Sequence, residues 1–389
     1  MHTRLLSLLV FPLLVGSFAA AAPVVKAQSA STSMPEPADG SVVCPPGVYA
    51  TPPDGCLPLG PSAYLTQLAQ TGITLPLTRL PDYPPSYDLN NLDYVYFKVQ
   101  DQGTAIYNSM ADASASTNAV RYFNPGELYV SYVDREETPG GVVYQLRSGV
   151  WIRGDGGRLA VPVFQGVQFS STPRNAFGWV LEPVPVYAAP GLESPKTGDM
   201  YYRYNMVQIY ATVQADGETW DMIGPDQWLE GRQVGSVTPR SSRPDGVPAD
   251  RWIEVNLQEQ TLAVYDKDQL VFATLVSTGV TPFWTRPGVF QIQVKKPTET
   301  MTKAYTPGDP DYYYIEDVPW TMYFDQERAL HGAYWHNDFG YVRSHGCVNL
   351  SVGDSHWLYD WANVGDYVYV YDPSGQTPTD PSRYGAGAP

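Results

Sequence analysis

Proline is the residue that most limits what this chain can become. The sequence holds 36 prolines and 34 glycines in 389 residues. A proline lacks a backbone N–H and clashes inside a helix, so long helices are excluded over most of the length. What lies between the interruptions suits strands, since 13% of the chain is aromatic and 29 residues are tyrosine. The expected fold class is therefore mainly β, built from many short strands and turns.

The same punctuation divides the chain. Residues 1–27 open with Met1-His2-Thr3-Arg4 and an apolar run from Leu5 to Ala22, the layout of a secretory signal peptide. The run approaches the length of a membrane span, so retention as an anchor stays open, although Pro12, Gly16 and Ser17 weigh against it. No later segment is apolar for long enough to span a bilayer. Residues 28–90 carry prolines from Pro35 to Pro85 at a density that forbids helix and central strand, which reads as a spacer with a short helix near Ser62 to Gln70.

Charge and cysteines narrow the setting. A formal net charge of −16 without any basic run excludes nucleic acid and anionic lipid as partners, because both require clustered Lys and Arg. An exported chain also permits disulfides. Of three cysteines, Cys44 and Cys56 bracket the segment CPPGVYATPPDGC and are expected to pair. Cys347 is left over, and an odd thiol outside the cytosol is either inert or kept for its chemistry.

Two central segments look alike. One runs from Ala105-Ile106-Tyr107 through Tyr144 to Trp151, the other from Pro185-Val186-Tyr187 through Trp220 to Trp228, with spacings of 37 and 7 residues against 33 and 8. Matching aromatics at near-matching intervals indicate a duplicated small β-barrel. Both segments resemble bacterial SH3-like domains, which implies one domain over residues 91–165 and a second over 166–235. The Ser-, Pro- and Arg-rich stretch at 236–250 is a linker, and 251–372 forms the last domain.

That last domain starts as an antiparallel meander, from Trp252-Ile253-Glu254-Val255 through Thr261 to Tyr265, Leu270 to Ser277 and Gly288 to Val294. The stretch between Pro297 and Pro319 is too long and too aromatic for an idle connection, and reads as a substrate-facing lid or flap. After it come a strand from Trp320 to Phe324 and a helix opened by Ser351 and Asp354, with an apolar stripe of Trp357, Leu358 and Trp361. A strand from Tyr367 to Tyr371 finishes the domain, and residues 373–389 read as a disordered tail.

Apart from His2, every histidine falls between His331 and His356, and Cys347 sits inside that window. Such concentration marks a chemical site. A thiol with an ordinary pKa needs a basic neighbour to act near neutral pH, and His331 is the natural one. In His345-Gly346-Cys347 the glycine permits a tight turn whose N–H groups at Gly346 and Cys347 can face an oxyanion. His336 and His356 read as surface or packing residues.

The text His331-Gly332-Ala333-Tyr334-Trp335, then Arg343-Ser344-His345-Gly346-Cys347-Val348-Asn349, resembles the catalytic core of the L,D-transpeptidases of YkuD type. Ser277-Thr278-Gly279, Pro287-Gly288-Val289-Phe290 and Asp366-Tyr367-Val368 match as well, so the resemblance covers about 251 to 371. It implies a C-terminal β-sandwich or barrel with one or two short helices, with Cys347 as nucleophile and His331 as acid/base. It further implies that a backbone carbonyl near Gly332 orients His331 and that His345 steadies the thiol loop. Trp335, Ser344, Asn349, Tyr305, Tyr313 and Tyr314 are expected at the substrate.

Peptidoglycan stem peptides would then be donor and acceptor, at the cell envelope, without a cofactor and with the protein a monomer. Two other readings stay open: hydrolysis of the same bond by an L,D-carboxypeptidase, and a wall-binding scaffold whose catalysis is vestigial. A zinc site lacks paired Cys or His spacings, and a papain-like peptidase would place its cysteine before its histidine.

Overall fold

A computed structural model describes residues 42–43, 56–57, 79–99, 103–154, 159–161, 164–308 and 311–384. The expected signal peptide, the side chains of Cys44 and Cys56, and the helix expected near Ser62 to Gln70 lie outside the described residues. The chain is mostly β with few helices. Among the described residues no helix is long and apolar enough to cross a membrane.

Strands that bury both faces build the C-terminal sheet. Trp252–Asn256, Thr261–Asp266 and Gln269–Leu275 form the expected antiparallel meander. Lys267 and Asp268 both adopt positive φ, the geometry that a two-residue hairpin loop requires. The sheet is not a simple meander throughout. Tyr367–Tyr371 pairs parallel with Trp252–Asn256, and Gly288–Gln291 pairs antiparallel with its far side. A parallel pair needs a crossover, here the route that includes the Val352–Trp361 helix.

A second sheet lies across the first. Met322, Phe324, Leu330, Val348 and Leu350 pack against Ile253, Val255, Leu262, Val264 and Phe272, with Leu358 and Ala362 of the helix region completing one core. The stretch expected to be a lid is mostly regular: Val294–Thr302 and Tyr313–Asp325 form a long antiparallel hairpin. Pairing of backbone groups along the hairpin explains the difference, because it satisfies them locally where a free loop would need solvent.

The two repeated segments share a strand order. In the first, Glu127–Thr138, Gly141–Leu146, Trp151–Arg153, Ala105–Tyr107 and Arg121–Tyr122 lie side by side. In the second, Ala211–Ala215, Glu218–Gly224, Gln227–Glu230, Val184–Tyr187 and Lys196–Tyr201 repeat that arrangement. The aromatics noted in sequence fall at equivalent points, with Tyr107 opposite Trp151 and Tyr187 opposite Trp228. Neither segment stands apart from the C-terminal sheets. Glu127, Leu128 and Tyr129 pair parallel with Tyr313, Tyr314 and Ile315 of the hairpin. Val167–Phe169 adds to the Gln269–Leu275 edge, and Asp82–Tyr83 from the spacer closes that side.

The helix start follows the sequence. The Asp354 N–H donates to Ser351 Oγ at 3.2 Å. The Asp354 carboxylate, fully buried, accepts from Gly166 N at 2.9 Å and Thr274 Oγ1 at 2.6 Å, tying the helix to the chain just before Val167. Burial pushes this carboxyl up to about 6, ahead of the opposing hydrogen bonds. The stabilisation from the protonated form is complete below the ordinary value of 3.8 and is lost as pH rises through about 6. The step is worth about 3 kcal/mol. Asp354→Asn is therefore expected to cut the stability change between pH 3 and pH 8 by that amount, as read from urea midpoints at the two pH values.

The tail differs from its sequence expectation. Pro381–Arg383 is a short 3-10 turn, and the following Tyr384 lies under the Arg328 guanidinium at 5.2 Å and edge-on to Trp284 at 6.4 Å. Cation–π and aromatic contacts hold residues that composition alone assigns to solvent.

Candidate active site

Two short parallel strands carry the site. Arg328–Gly332 and Val348–Leu350 pair with Leu330 opposite Val348 and His331 opposite Asn349. Successive side chains on a strand face opposite ways, so Leu330 and Val348 enter the core while His331 and Asn349 face a cleft that Cys347 also lines. Trp335, Ser344, His345 and Tyr313 line the same cleft. These are seven of the residues read from sequence, all from the stretch Tyr313 to Asn349.

The turn around the thiol is held from several sides. Ser344 Oγ donates to the Cys347 carbonyl at 2.5 Å and accepts the Gly346 N–H at 3.1 Å. Thr285 Oγ1 donates to the Gly346 carbonyl at 2.8 Å. Gly346 has φ of +116°, and a Cβ there would sit 3.3 Å from the buried Arg328 Nε. Both facts require glycine. One expectation is corrected here: the Gly346 N–H is already bonded to Ser344 Oγ, so it does not face an oxyanion.

Cys347 is an unpaired, partly exposed thiol. Its Sγ accepts from the Ala329 N–H at 3.4 Å and directs its proton toward the Glu327 carbonyl at 3.8 Å. Apart from the cleft side it is enclosed by protein, and this burial pushes the thiol up to about 11; the Ala329 N–H and the Arg328 charge oppose the shift. His331 is 2% exposed, and burial pushes its imidazole down to about 4. Its Nδ1 lies 3.3 Å from the Gly332 carbonyl, which accepts if Nδ1 carries the proton and leaves Nε2 as the basic atom. Trp335 stacks on the His331 ring at 5.7 Å. Gly332 has its own steric reason, since a Cβ there would meet Ser355 Oγ at 2.5 Å.

His345 sits between Phe283 at 4.6 Å and Tyr313 at 5.0 Å, and burial lowers its pKa. Tyr314 and Tyr305 are not in the cleft. Tyr314 lies on the other face of its strand, against Phe123 with its hydroxyl on Glu316, and Tyr305 packs edge-on to Tyr312. Pleating explains this, because only every second residue of the Tyr312 to Tyr314 run can face one side.

Four further residues line the cleft: Glu127, Met301, Ile315 and Arg343. Arg343 Nη2 donates to Glu127 Oε1 at 3.0 Å, so the first repeated segment supplies a charged wall. Arg343 stood inside the motif but carried no expected role. No local signal pointed to Glu127. Among the described residues no three His, Cys, Asp or Glu side chains gather as a metal site.

Residues 250–370 match the family model of the L,D-transpeptidase catalytic domain, YkuD. The chain carries a YkuD domain. No curated protein matches it. Among solved structures, an Enterococcus faecium L,D-transpeptidase C442S mutant is 25% identical, covering 32% of this chain and 50% of its own, with a TM-score of 0.29. An L,D-transpeptidase from Stackebrandtia nassauensis is 30% identical over 36% of this chain and 63% of its own, TM-score 0.26. One from Mycobacterium smegmatis is 18% identical over 55% and 93%, TM-score 0.30. The match thus spans about half the length of the first of these. In this chain the YkuD domain holds Cys347, His331 and the whole Ser344–Asn349 turn.

Proposed function

We propose that the protein is an exported peptidoglycan L,D-transpeptidase of the cell envelope, with Cys347 as nucleophile and His331 as acid/base. One observation carries the reading: a thiol and a buried imidazole line one cleft, the imidazole on one strand and the thiol just before the strand beside it, within the segment that matches the YkuD model. The donor is a stem peptide whose third residue is a diamino acid bonded to a terminal D-alanine.

His331 Nε2 takes the thiol proton as Sγ attacks the carbonyl carbon of the third residue. The Cys347 N–H meets the developing oxyanion. The C–N bond breaks, and D-alanine leaves with the proton from His331. A side-chain amine of a second stem then attacks the thioester, passes its proton to His331, and restores the thiol. Because burial raises the thiol and lowers the imidazole, both are neutral at rest, and proton transfer accompanies attack. The walls of Met301, Tyr313, Ile315 and Trp335 exclude water from the thioester, which favours an amine acceptor over hydrolysis.

Incubation with a disaccharide-tetrapeptide is expected to give a transient Cys347 adduct lacking D-alanine, then a crosslinked dimer, both read by mass spectrometry. Free tripeptide without dimer at high amine concentration would make the protein a carboxypeptidase. Absence of any adduct on a reduced Cys347 would favour a wall-binding scaffold.

A further inference from the structure

His336 is buried beside the site, 8% exposed, and the reaction above does not use it. The Asp338 backbone N–H donates to its Nδ1 at 3.1 Å. A ring nitrogen that accepts carries no proton, so the single proton of the neutral ring is on Nε2. Burial drives the imidazole toward the neutral form, to about 3, with Arg343 and His331 adding repulsion. That Nε2–H points at the side-chain amide of Asn349, 2.9 Å away.

Two donors cannot face each other. With Nδ2 toward His336, the amide leaves Asn349 Oδ1 buried and without a partner. Rotating the amide by half a turn removes the clash, since Oδ1 then accepts from His336 Nε2–H, and it is the –NH2 group that is left without a protein partner. Asn349 lines the cleft together with Cys347 and His331, and this –NH2 is the donor of its side chain that no protein group takes up. Asn349 lies directly across the strand pair from His331, so a donor there can reach a carbonyl held over the thiol.

We infer that His336 is a positioning residue: its Nε2–H locks the Asn349 amide so that the –NH2 group, and not the oxygen, is presented to the donor peptide. The inference rests on the transpeptidase reading for its substrate, but not for its geometry. Arg343 and His331 are the charged and titratable neighbours of the ring, and Asp338 contributes its backbone N–H.

The test has two arms. Histidine ¹⁵N spectra of the whole protein are expected to show His336 protonated at Nε2 alone from pH 5 to pH 8. Protonation at Nδ1 would overturn the inference whatever the protein's activity. In the second arm, His336→Phe is expected to lower kcat/KM on a disaccharide-tetrapeptide by about 10- to 100-fold, chiefly through KM. His336→Gln, whose amide N–H can stand where Nε2–H stood, should stay within about threefold of the parent. Adding Asn349→Ala to His336→Phe should cost nothing beyond Asn349→Ala alone. Alkylation of Cys347 by iodoacetamide should be equal in all variants, which also reports an intact fold. Equal loss in the Gln and Phe variants, or full activity in His336→Phe, would refute the positioning role. If the parent releases no D-alanine in a Cys347-dependent way, the functional reading fails, and the spectra still decide the pair.

Discussion

Cys347→Ala is expected to abolish turnover on stem-peptide donors, and His331→Ala to lower kcat/KM by at least about 10²-fold through lost proton transfer. The form of the pH dependence is as telling as the size of the loss. A thiol raised to about 11 is ionised to the extent of only about 10⁻⁴ at pH 7. Alkylation of Cys347 by iodoacetamide should therefore climb about tenfold per pH unit from pH 7 to pH 10. The imidazole, lowered to about 4, remains basic down to that value, so kcat/KM should show no inflection near 6.5. A plateau of alkylation between pH 5 and pH 7 would mean a resting thiolate–imidazolium pair and would sink the neutral-pair description. Full activity in purified Cys347→Ala would remove the nucleophile itself.

The centre of this site was legible because it is local. His331 and Cys347 lie 16 residues apart, and the chemistry of an odd thiol among clustered histidines needs no long-range information. The mainly β fold was legible for a similar reason, since proline and aromatic content act residue by residue. The rest of the site depends on things that periodicity cannot carry. Tyr313 and Tyr314 are chemically identical neighbours, and only the register of their strand decides which faces the cleft. The order of residues does not show that the Ser344 side chain curls back on its own turn and takes the Gly346 N–H. Glu127 reaches the cleft through a parallel pairing with Tyr313, a partner far along the chain that no window of sequence contains. His336 reads from sequence as a surface or packing residue, because the order of residues does not show which of its nitrogens the Asp338 N–H occupies.

Cutting the chain at the linker is expected to destroy the YkuD segment, although sequence draws a boundary at 236–250. Phe164, Phe169, Phe177 and Trp179 pack in one cluster with Trp252, Tyr265, Leu270 and Phe339. Fully burying one such side chain is worth about 1.5–3 kcal/mol. Losing four partners together approaches the whole stability of a domain, about 5–15 kcal/mol. The cut also removes the Gly166 N–H from buried Asp354 and the Glu127–Tyr129 strand from the hairpin that walls the cleft. A fragment of residues 250–372 should therefore show no cooperative thermal transition and no near-ultraviolet dichroism. A fragment of residues 79–384, which keeps every element named above, should match the full chain in both, and in the rate of D-alanine release. A sharp melt and parent-like release from the short fragment would show that the shared cluster is dispensable, and that the repeated segments serve the enzyme only as a spacer.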